Sequence, residues 1–201
     1  MKLFTANEQP RPRFHVRGHF PPLSDTEWHN LDSTVSMGEI RSAVFDMGAS
    51  KAPGVDGLNA GFFQNNWDIV GESVTRFFQR VFATKVVPEF INRTLLVLLP
   101  KVAMPVSMAQ FRPISLCPVC YKIISKILVN RLKPFLPTWV SDNQTSFVPG
   151  RLINDNIVIA HEIIHSMRRK SGKRGWMALK IDLEKAYDRV EWSFIDDTLA
   201  E

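Results

Sequence analysis

Two short patterns in the sequence are typical of zinc sites. His161, Glu162 and His165 form an HExxH segment, which on a helix puts two imidazoles on one face with a general base between them. Cys117 and Cys120 form a CxxC pair. A zinc hydrolase needs a third protein ligand, but the other histidines precede this segment in the irregular start of the chain. We therefore favour surface histidines on an amphipathic helix and small, mostly buried cysteines. A zinc metallohydrolase that uses His161, Glu162 and His165 is the less favoured alternative.

A combined Cys/His zinc site is also disfavoured by spacing. The separation between Cys120 and His161 along the chain is far longer than the roughly dozen residues that separate the ligand pairs of zinc fingers.

Asp182 stands at a position that suits a ligand of a divalent cation. Two-metal sites hold their cations roughly 3.5–4 Å apart with oxygen ligands. Residues 176–182 are predicted to form a strand, so Asp182 stands where the strand ends and a polar turn begins. The residues alone leave two interpretations equally open: a metal ligand, and the N-cap of a following helix.

The composition predicts an intracellular globular protein, nuclear or cytoplasmic. The 201 residues are 45% hydrophobic and 22% charged, with a formal net charge of +5, which favours a polyanionic partner. The first residues contain no apolar signal segment, and no apolar run is long enough to span a membrane. With two cysteines in the chain, we expect no disulfide framework and no disulfide-linked partner.

A basic stretch at residues 168–174 is the densest cluster of positive charge. Its cations are Arg168, Arg169, Lys170, Lys173 and Arg174. A nucleic-acid contact and a solvated loop that serves as a nuclear-import signal are both open for it.

The spacing of apolar residues predicts an α+β chain. Residues 1–35 have no clear period and are interpreted as irregular. One helix is predicted to begin at a capping box at Ser36 and another near Trp192. Three more helices are predicted over residues 63–81, 121–136 and 153–167. Strands are predicted at residues 93–100, expected to be buried, and 111–116; the two are expected to pair as a hairpin.

Five ordered segments resemble the reverse transcriptases of non-LTR (LINE-type) retrotransposons, and the resemblance covers about residues 20–201. They are KAPGVDG at 51–57 with the AGFFQNNWDIVG that follows, LLVLLPK at 95–101, FRPISL at 111–116 with YKIISKILVNRLKP at 121–134, QTSFVPGRLINDNIVIAHE at 144–162, and MALKIDLEKAYDRVEW at 177–192. Five motifs in the same order are far more specific than any one of them.

The resemblance implies the fingers and the beginning of the palm of a right-hand polymerase, truncated. It divides the chain into an irregular lead-in at 1–35, a helical segment leading into the fingers at 36–92, fingers at 93–175, and an incomplete palm at 176–201. The implied function is that of an RNA-directed DNA polymerase, with an RNA template, a DNA primer and deoxynucleotides as partners.

The resemblance also implies roles for single residues around the nucleotide. Asp182 matches the first catalytic aspartate, a ligand of two Mg²⁺ ions. Tyr187 matches the ring that excludes a 2′-hydroxyl. Lys101 and Arg112, at the ends of the predicted hairpin strands, match the cations that clamp the triphosphate.

On the template side the resemblance implies contacts by Gln144, Phe147 and Arg151. Asp155 and Asn156 are expected to shape this segment.

The family completes its metal site with an Asp-Asp hairpin well downstream, which this sequence lacks. Asp196 and Asp197 come too soon after Asp182 and lie in a predicted helix. We therefore expect this chain to be inactive alone. The alternative from another class is a non-catalytic nucleic-acid-binding relic that retains only the basic surface.

Overall fold

A computed structural model of the chain describes residues 21–172, 175–182 and 189–200. The chain divides into two compact units. The first spans Leu23–Pro134, and the second includes the described residues from Phe135 onward.

The first unit contains five helices and one pair of strands. In chain order they are α1 (Asp25–Asp32), α2 (Met37–Phe45), α3 (Ala60–Asn65), α4 (Trp67–Thr84), β1 (Leu95–Pro100), β2 (Phe111–Leu116) and α5 (Val119–Leu132), with short 3₁₀ turns at Glu89–Asn92 and Met108–Gln110. Within its described residues, the second unit contains α6 (Leu136–Trp139), α7 (Ile153–Arg169) and α8 (Trp192–Leu199).

Capping boxes begin the first two helices. At α2 the Glu39 N–H donates to Ser36 Oγ at 3.2 Å and the Ser36 N–H donates to Glu39 Oε2 at 2.9 Å, so the predicted start is confirmed. Ser24 and Glu27 form the same box at α1. The interpretation of residues 1–35 as irregular is therefore wrong over Asp25–Asp32.

The core of the first unit lies among α2, α3, α4 and α5. Its most buried side chains, which are at most 1% exposed, include Ile40, Val44, Phe78, Ile123 and Ile127. Burying each of them contributes about 1.5–3 kcal/mol to folding. The single helix predicted over 63–81 is instead two helices, because the backbone leaves the helical region at Asn66, between α3 and α4.

The glycine-bearing loop at residues 51–57 packs against the start of α5. A Cβ atom on Gly54 would lie only 2.4 Å from the backbone nitrogen of Pro118. Lys122 Nζ also donates to the Ala52 carbonyl at 3.2 Å. Gly54 is therefore needed for a close approach of two backbone segments.

Arg131 on α5 links α5 to α1 and α2. Its Nε and Nη2 donate to the two Glu39 carboxylate oxygens at 2.8 and 3.2 Å. Its Nη1 donates to the carbonyls of Leu31 and Ser33, both at 2.8 Å. The Arg131 side chain is only 12% exposed, so these contacts are largely shielded from water.

β1 and β2 form the predicted antiparallel hairpin, with a register from Leu95 opposite Leu116 to Pro100 opposite Phe111. The expectation that β1 is buried is wrong, because Leu96 and Leu99 are 60% and 46% exposed. The sheet has only these two strands in the described part of the chain, so both of its faces keep contact with solvent.

The second unit contains the predicted helix α7 but not the predicted strand. No residue of α7 is buried, and Ile157 and Ile163 are 50% and 52% exposed. Residues 176–182 have no regular secondary structure, so the strand prediction is wrong there. The last helix begins at Trp192, as predicted.

None of the helices in the described ranges has the length and hydropathy needed to cross a bilayer.

Candidate functional site

The β1–β2 hairpin brings two predicted site residues, Lys101 and Arg112, to the same face. Arg112 pairs with Leu99, and the Lys101 N–H donates to the Gln110 carbonyl at 2.7 Å, which extends the ladder by one residue beyond β1. Side chains alternate along a strand, so positions 99 and 101 face the same side, and paired residues such as Leu99 and Arg112 also share a side. The two cations therefore lie near the loop end of one hairpin face.

Both cations have donors that a ligand can use. Lys101 Nζ donates to the Ala109 carbonyl at 2.9 Å, which occupies one of its three protons. The Arg112 guanidinium is exposed and has no hydrogen-bond or ion-pair partner among the residues that the structure describes. A guanidinium fork beside an ammonium suits an anion with several phosphate oxygens.

Arg151 holds together the segment that we call the 140–151 loop, residues 140–151. Its Nη1 donates to the carbonyls of Ser141 and Gln144, and its Nη2 donates to those of Pro137 and Val140. The Arg151 side chain is only 16% exposed. Its four Nη protons are thus directed at backbone carbonyls of this loop and of the preceding helix α6.

Asn156, at the start of α7, anchors the same loop from the other side. Its Nδ2 donates to the Asn143 carbonyl at 3.0 Å and to Thr145 Oγ1 at 3.1 Å. The expectation that Asn156 shapes this segment is confirmed. For Asp155, the backbone N–H donates to the Leu152 carbonyl at 3.1 Å, in the first turn of the helix.

Phe147 and Gln144 are the exposed members of the loop that the sequence singled out. Phe147 has a φ of +66° and is 85% exposed, whereas the adjacent Val148 is 7% exposed. A bulky residue with positive φ costs about 1–2 kcal/mol and persists only where its surroundings fix it. Gln144 Nε2 donates to the Ser146 carbonyl at 3.1 Å. The loop thus presents an aromatic ring beside an amide.

Asp182 is exposed and follows a segment without regular secondary structure. Tyr187, the predicted sugar-sensing ring, lies outside the described residues. Asp196 and Asp197 lie in α8, where consecutive side chains point about 100° apart. In the described parts of the chain, no group of three or more His, Cys, Asp or Glu side chains could hold a metal ion. Within those parts of the chain, the surroundings of Asp182 therefore do not form a complete metal centre.

The zinc-like patterns occupy separate places. His161 and His165 are exposed on α7. Cys117 and Cys120 are free thiols of intermediate burial. Burial, with the nearby negative charge of Asp56, raises the pKa of the Cys120 thiol to about 11, so it stays protonated near neutral pH.

The described part of the basic stretch includes an aromatic contact that the sequence did not predict. Lys170 Nζ lies 4.0 Å from the centroid of the Trp176 ring, within range of a cation–π interaction. Lys173 and Arg174 lie outside the described residues.

A cavity of about 370 Å³ in the first unit also holds cations that the sequence did not single out. Lys51, Lys122 and Lys126 contribute to its lining. Lys122 donates to the Ala52 carbonyl, and Lys126 pairs with Asp46 at 3.3 Å. The spacing of Lys122 and Lys126, four residues apart on α5, could have indicated that these two lysines lie on the same face of the helix.

Comparison with known proteins gives a family match over the second half of the chain. A model of the family described as reverse transcriptase (RNA-dependent DNA polymerase) matches residues 99–201. The matched segment contains Lys101, Arg112, the 140–151 loop and Asp182.

Three relatives extend the similarity across most of the chain. The Transposon TX1 uncharacterized 149 kDa protein of Xenopus laevis is 34% identical over 89% of this chain and 14% of its own length. The putative 115 kDa protein in type-1 retrotransposable element R1DM of Drosophila melanogaster is 26% identical, over 81% of this chain and 16% of its own length. The retrovirus-related Pol polyprotein from type-1 retrotransposable element R2 of Nasonia vitripennis is 25% identical, over 90% of this chain and 17% of its own length. The chain thus spans only a small part of the length of these relatives.

Proposed function

This chain belongs to the reverse transcriptase (RNA-dependent DNA polymerase) family. We propose that it is the part of a non-LTR retrotransposon's RNA-directed DNA polymerase that binds the incoming nucleotide and the template. The relatives named as proteins of transposable elements support the choice of that kind of polymerase. The proposed partners are an RNA template, a DNA primer and deoxynucleoside triphosphates.

The observation that carries this proposal is the shared hairpin face of Lys101 and Arg112, inside the family-matched segment. The triphosphate of an incoming nucleotide would take the guanidinium fork of Arg112 on one phosphate and the ammonium of Lys101 on another. Both side chains are exposed, so neither has to leave a buried position to bind.

The template strand is proposed to run over the 140–151 loop. Phe147 offers an exposed ring on which a base can stack, and base–aromatic stacking is worth about 1–3 kcal/mol per base. Gln144 offers a polar contact beside it.

Asp182 is the proposed catalytic residue and ligand of Mg²⁺, and Tyr187 the proposed sugar-sensing ring. In the complete polymerase, two magnesium ions would stabilise the charge that develops on the transferred phosphoryl group. Among the described residues, no three His, Cys, Asp or Glu side chains come together as ligands, which does not fit a complete two-ion site. We therefore propose that the 201-residue chain alone does not incorporate nucleotides.

Equilibrium dialysis in Mg²⁺ buffer, which measures binding of a deoxynucleoside triphosphate to the purified chain, tests the proposed role of Lys101 and Arg112. We expect Lys101→Ala and Arg112→Ala each to weaken binding by roughly tenfold, as expected for the loss of one charge-assisted contact. Arg112→Lys keeps the charge but not the fork, so its loss should be smaller than that of Arg112→Ala.

Arg76→Ala is the matched control, because Arg76 is an exposed cation on α4 that already pairs with Glu72. It should leave triphosphate binding unchanged. Equal losses in all three alanine variants would indicate a nonspecific effect of charge, and no loss in any of them would refute the clamp. A chain that binds RNA but shows no dependence of triphosphate binding on Lys101 or Arg112 would instead be a non-catalytic nucleic-acid-binding module.

A further inference from the structure

We propose that Arg151 is a positioning residue, which holds the 140–151 loop so that Phe147 can stack on a template base, and that it does not itself contact RNA phosphates. This rests on the proposed function, because the stacked base belongs to the template proposed above. It changes the role that the family resemblance implied for Arg151 from direct contact to support.

The hydrogen bonds of Arg151 leave little of its guanidinium for a ligand. Nη1 donates to the carbonyls of Ser141 and Gln144, at 2.5 and 2.8 Å. Nη2 donates to the carbonyls of Pro137 and Val140, both at 2.9 Å. All four protons on the two terminal nitrogens are therefore used, and only Nε–H remains.

Burial and charge also disfavour an approach by phosphate. The Arg151 side chain is 16% exposed, and Nη2 lies 3.4 Å from Asp142 Oδ1, whose side chain is fully exposed to solvent. A phosphate that approached from the solvent side would meet that carboxylate. Arg151 thus resembles a largely shielded cross-link more than a phosphate contact.

Phe147 is the residue that benefits from this cross-link. Its ring is 85% exposed while its backbone has a φ of +66°, a conformation that a flexible loop would leave. Arg151 fixes the N-terminal half of the loop, and Asn156 fixes Asn143 and Thr145 from α7.

The consequence is a loop backbone at Phe147 that is held in place before any ligand arrives. A group that is already ordered loses less conformational entropy on binding than one in a mobile loop. Loosening the loop should therefore reduce the contribution of Phe147 to RNA affinity even though the ring itself is still present.

The experiment measures binding of a labelled single-stranded RNA to the full 201-residue chain by fluorescence anisotropy, for Phe147→Ala, Arg151→Gln and the double variant. Phe147→Ala should weaken binding by roughly 5- to 150-fold, the range for loss of one stacked base. Arg151→Gln should weaken it to a similar extent. The double variant should be little weaker than either single variant, because both changes remove the same interaction.

The salt dependence separates a positioning role from a phosphate contact. Each phosphate contact on a single strand contributes about 0.7 to the slope of log K against log salt concentration. We expect the slope for Arg151→Gln to equal that of the wild type. A slope smaller by about 0.7, or fully additive losses in the double variant, would overturn the inference.

Arg131→Lys is the matched control for general destabilisation. Arg131 is an arginine of similar side-chain exposure, at 12%, that also donates to backbone carbonyls, but it lies in the first unit. This variant should lower thermal stability and leave the effect of Phe147→Ala intact. If Arg131→Lys abolished the Phe147 effect as well, the coupling would reflect overall stability and the specific role of Arg151 would be refuted.

A second readout keeps the inference testable without RNA. Hydrogen exchange of the amides at residues 141–150 should accelerate strongly in Arg151→Gln and not in Arg131→Lys. Failure of the unmodified chain to bind RNA would refute the proposed function and the stacking role of Phe147. Unchanged exchange would refute the support role of Arg151 regardless of RNA binding.

Discussion

Replacement of Arg131 by methionine should destabilise the first unit by about 2–3 kcal/mol, a value between the typical contributions of exposed and of buried ion pairs. Methionine keeps an unbranched apolar stem but removes two hydrogen bonds to Glu39 and two to the carbonyls of Leu31 and Ser33. Exposed ion pairs contribute about 0–1 kcal/mol, and loss of one partner of a buried pair costs about 3–5 kcal/mol. Arg131 is 12% exposed and Glu39 36%, so the pair belongs between these limits.

Urea denaturation followed by circular dichroism measures this loss, and a double-mutant cycle with Glu39→Gln isolates the ion pair. The two single variants should not add, with a coupling energy of about 1 kcal/mol or more. A loss below about 0.5 kcal/mol, the usual range for surface substitutions, would refute the reasoning. So would full additivity of the two changes.

The dependence on pH gives an independent check of the same pair. The hydrogen bond from Arg131 holds the pKa of the Glu39 carboxyl below its ordinary value of 4.5, with a smaller contribution from Ser36, while partial burial opposes the shift. The pKa is lower in the folded state, so the stabilisation is complete above pH 4.5 and disappears as the pH falls through the lowered value. Glu39→Gln should therefore lose less stability than the wild type on acidification. Glu27 has a lowered pKa from its Ser24 hydrogen bonds and adds an effect of the same sign in both proteins.

Two further outcomes follow from the glycine-bearing loop and from the thiols. Gly54→Ala should destabilise the chain by about 1–3 kcal/mol through overpacking, because its Cβ would lie 2.4 Å from the Pro118 nitrogen. The Cβ of Gly57→Ala would meet no neighbour, so this variant should cost only the penalty of a left-handed backbone, about 1–2 kcal/mol. Thermal unfolding of both variants measures these losses, and an unchanged stability of Gly54→Ala would contradict the close approach. The Cys120 thiol, with a pKa raised to about 11, should react with iodoacetamide at pH 8 far more slowly in the folded chain than in urea. Fragment-ion mass spectrometry, which distinguishes Cys120 from Cys117 in the same peptide, measures the rates. Equal rates in the two conditions would contradict the burial of Cys120.

Local signals in the sequence predicted several elements correctly. The capping box at Ser36 placed the start of α2, and the apolar spacing placed α7. The same capping signature at Ser24 and Glu27 would have revealed α1, but the proline-rich and aromatic surroundings hid it.

The exposure of β1 and the absence of a strand at residues 176–182 could not be predicted from the local sequence pattern. An apolar run shows that a segment suits a strand, but pairing with another strand depends on distant residues. β1 found its partner in β2 yet stayed exposed, and residues 176–182 form no ladder within the described residues.

The residues of the candidate site were predicted from the family resemblance. Residue spacing suggested the hairpin that carries Lys101 and Arg112, and its register placed both cations on one face. The sequence could not show that Arg151 donates to four nearby backbone carbonyls, because a backbone acceptor is present at every residue whatever its type.

The most direct test of the central claim is an incorporation assay on a primed RNA with Mg²⁺ and all four deoxynucleoside triphosphates. The purified 201-residue chain should bind the primed RNA yet add no nucleotide, because Asp182 alone cannot hold both ions. Primer extension that Asp182→Asn abolishes would contradict the incomplete metal site. A complete failure to bind the primed RNA would contradict the role in gripping the template.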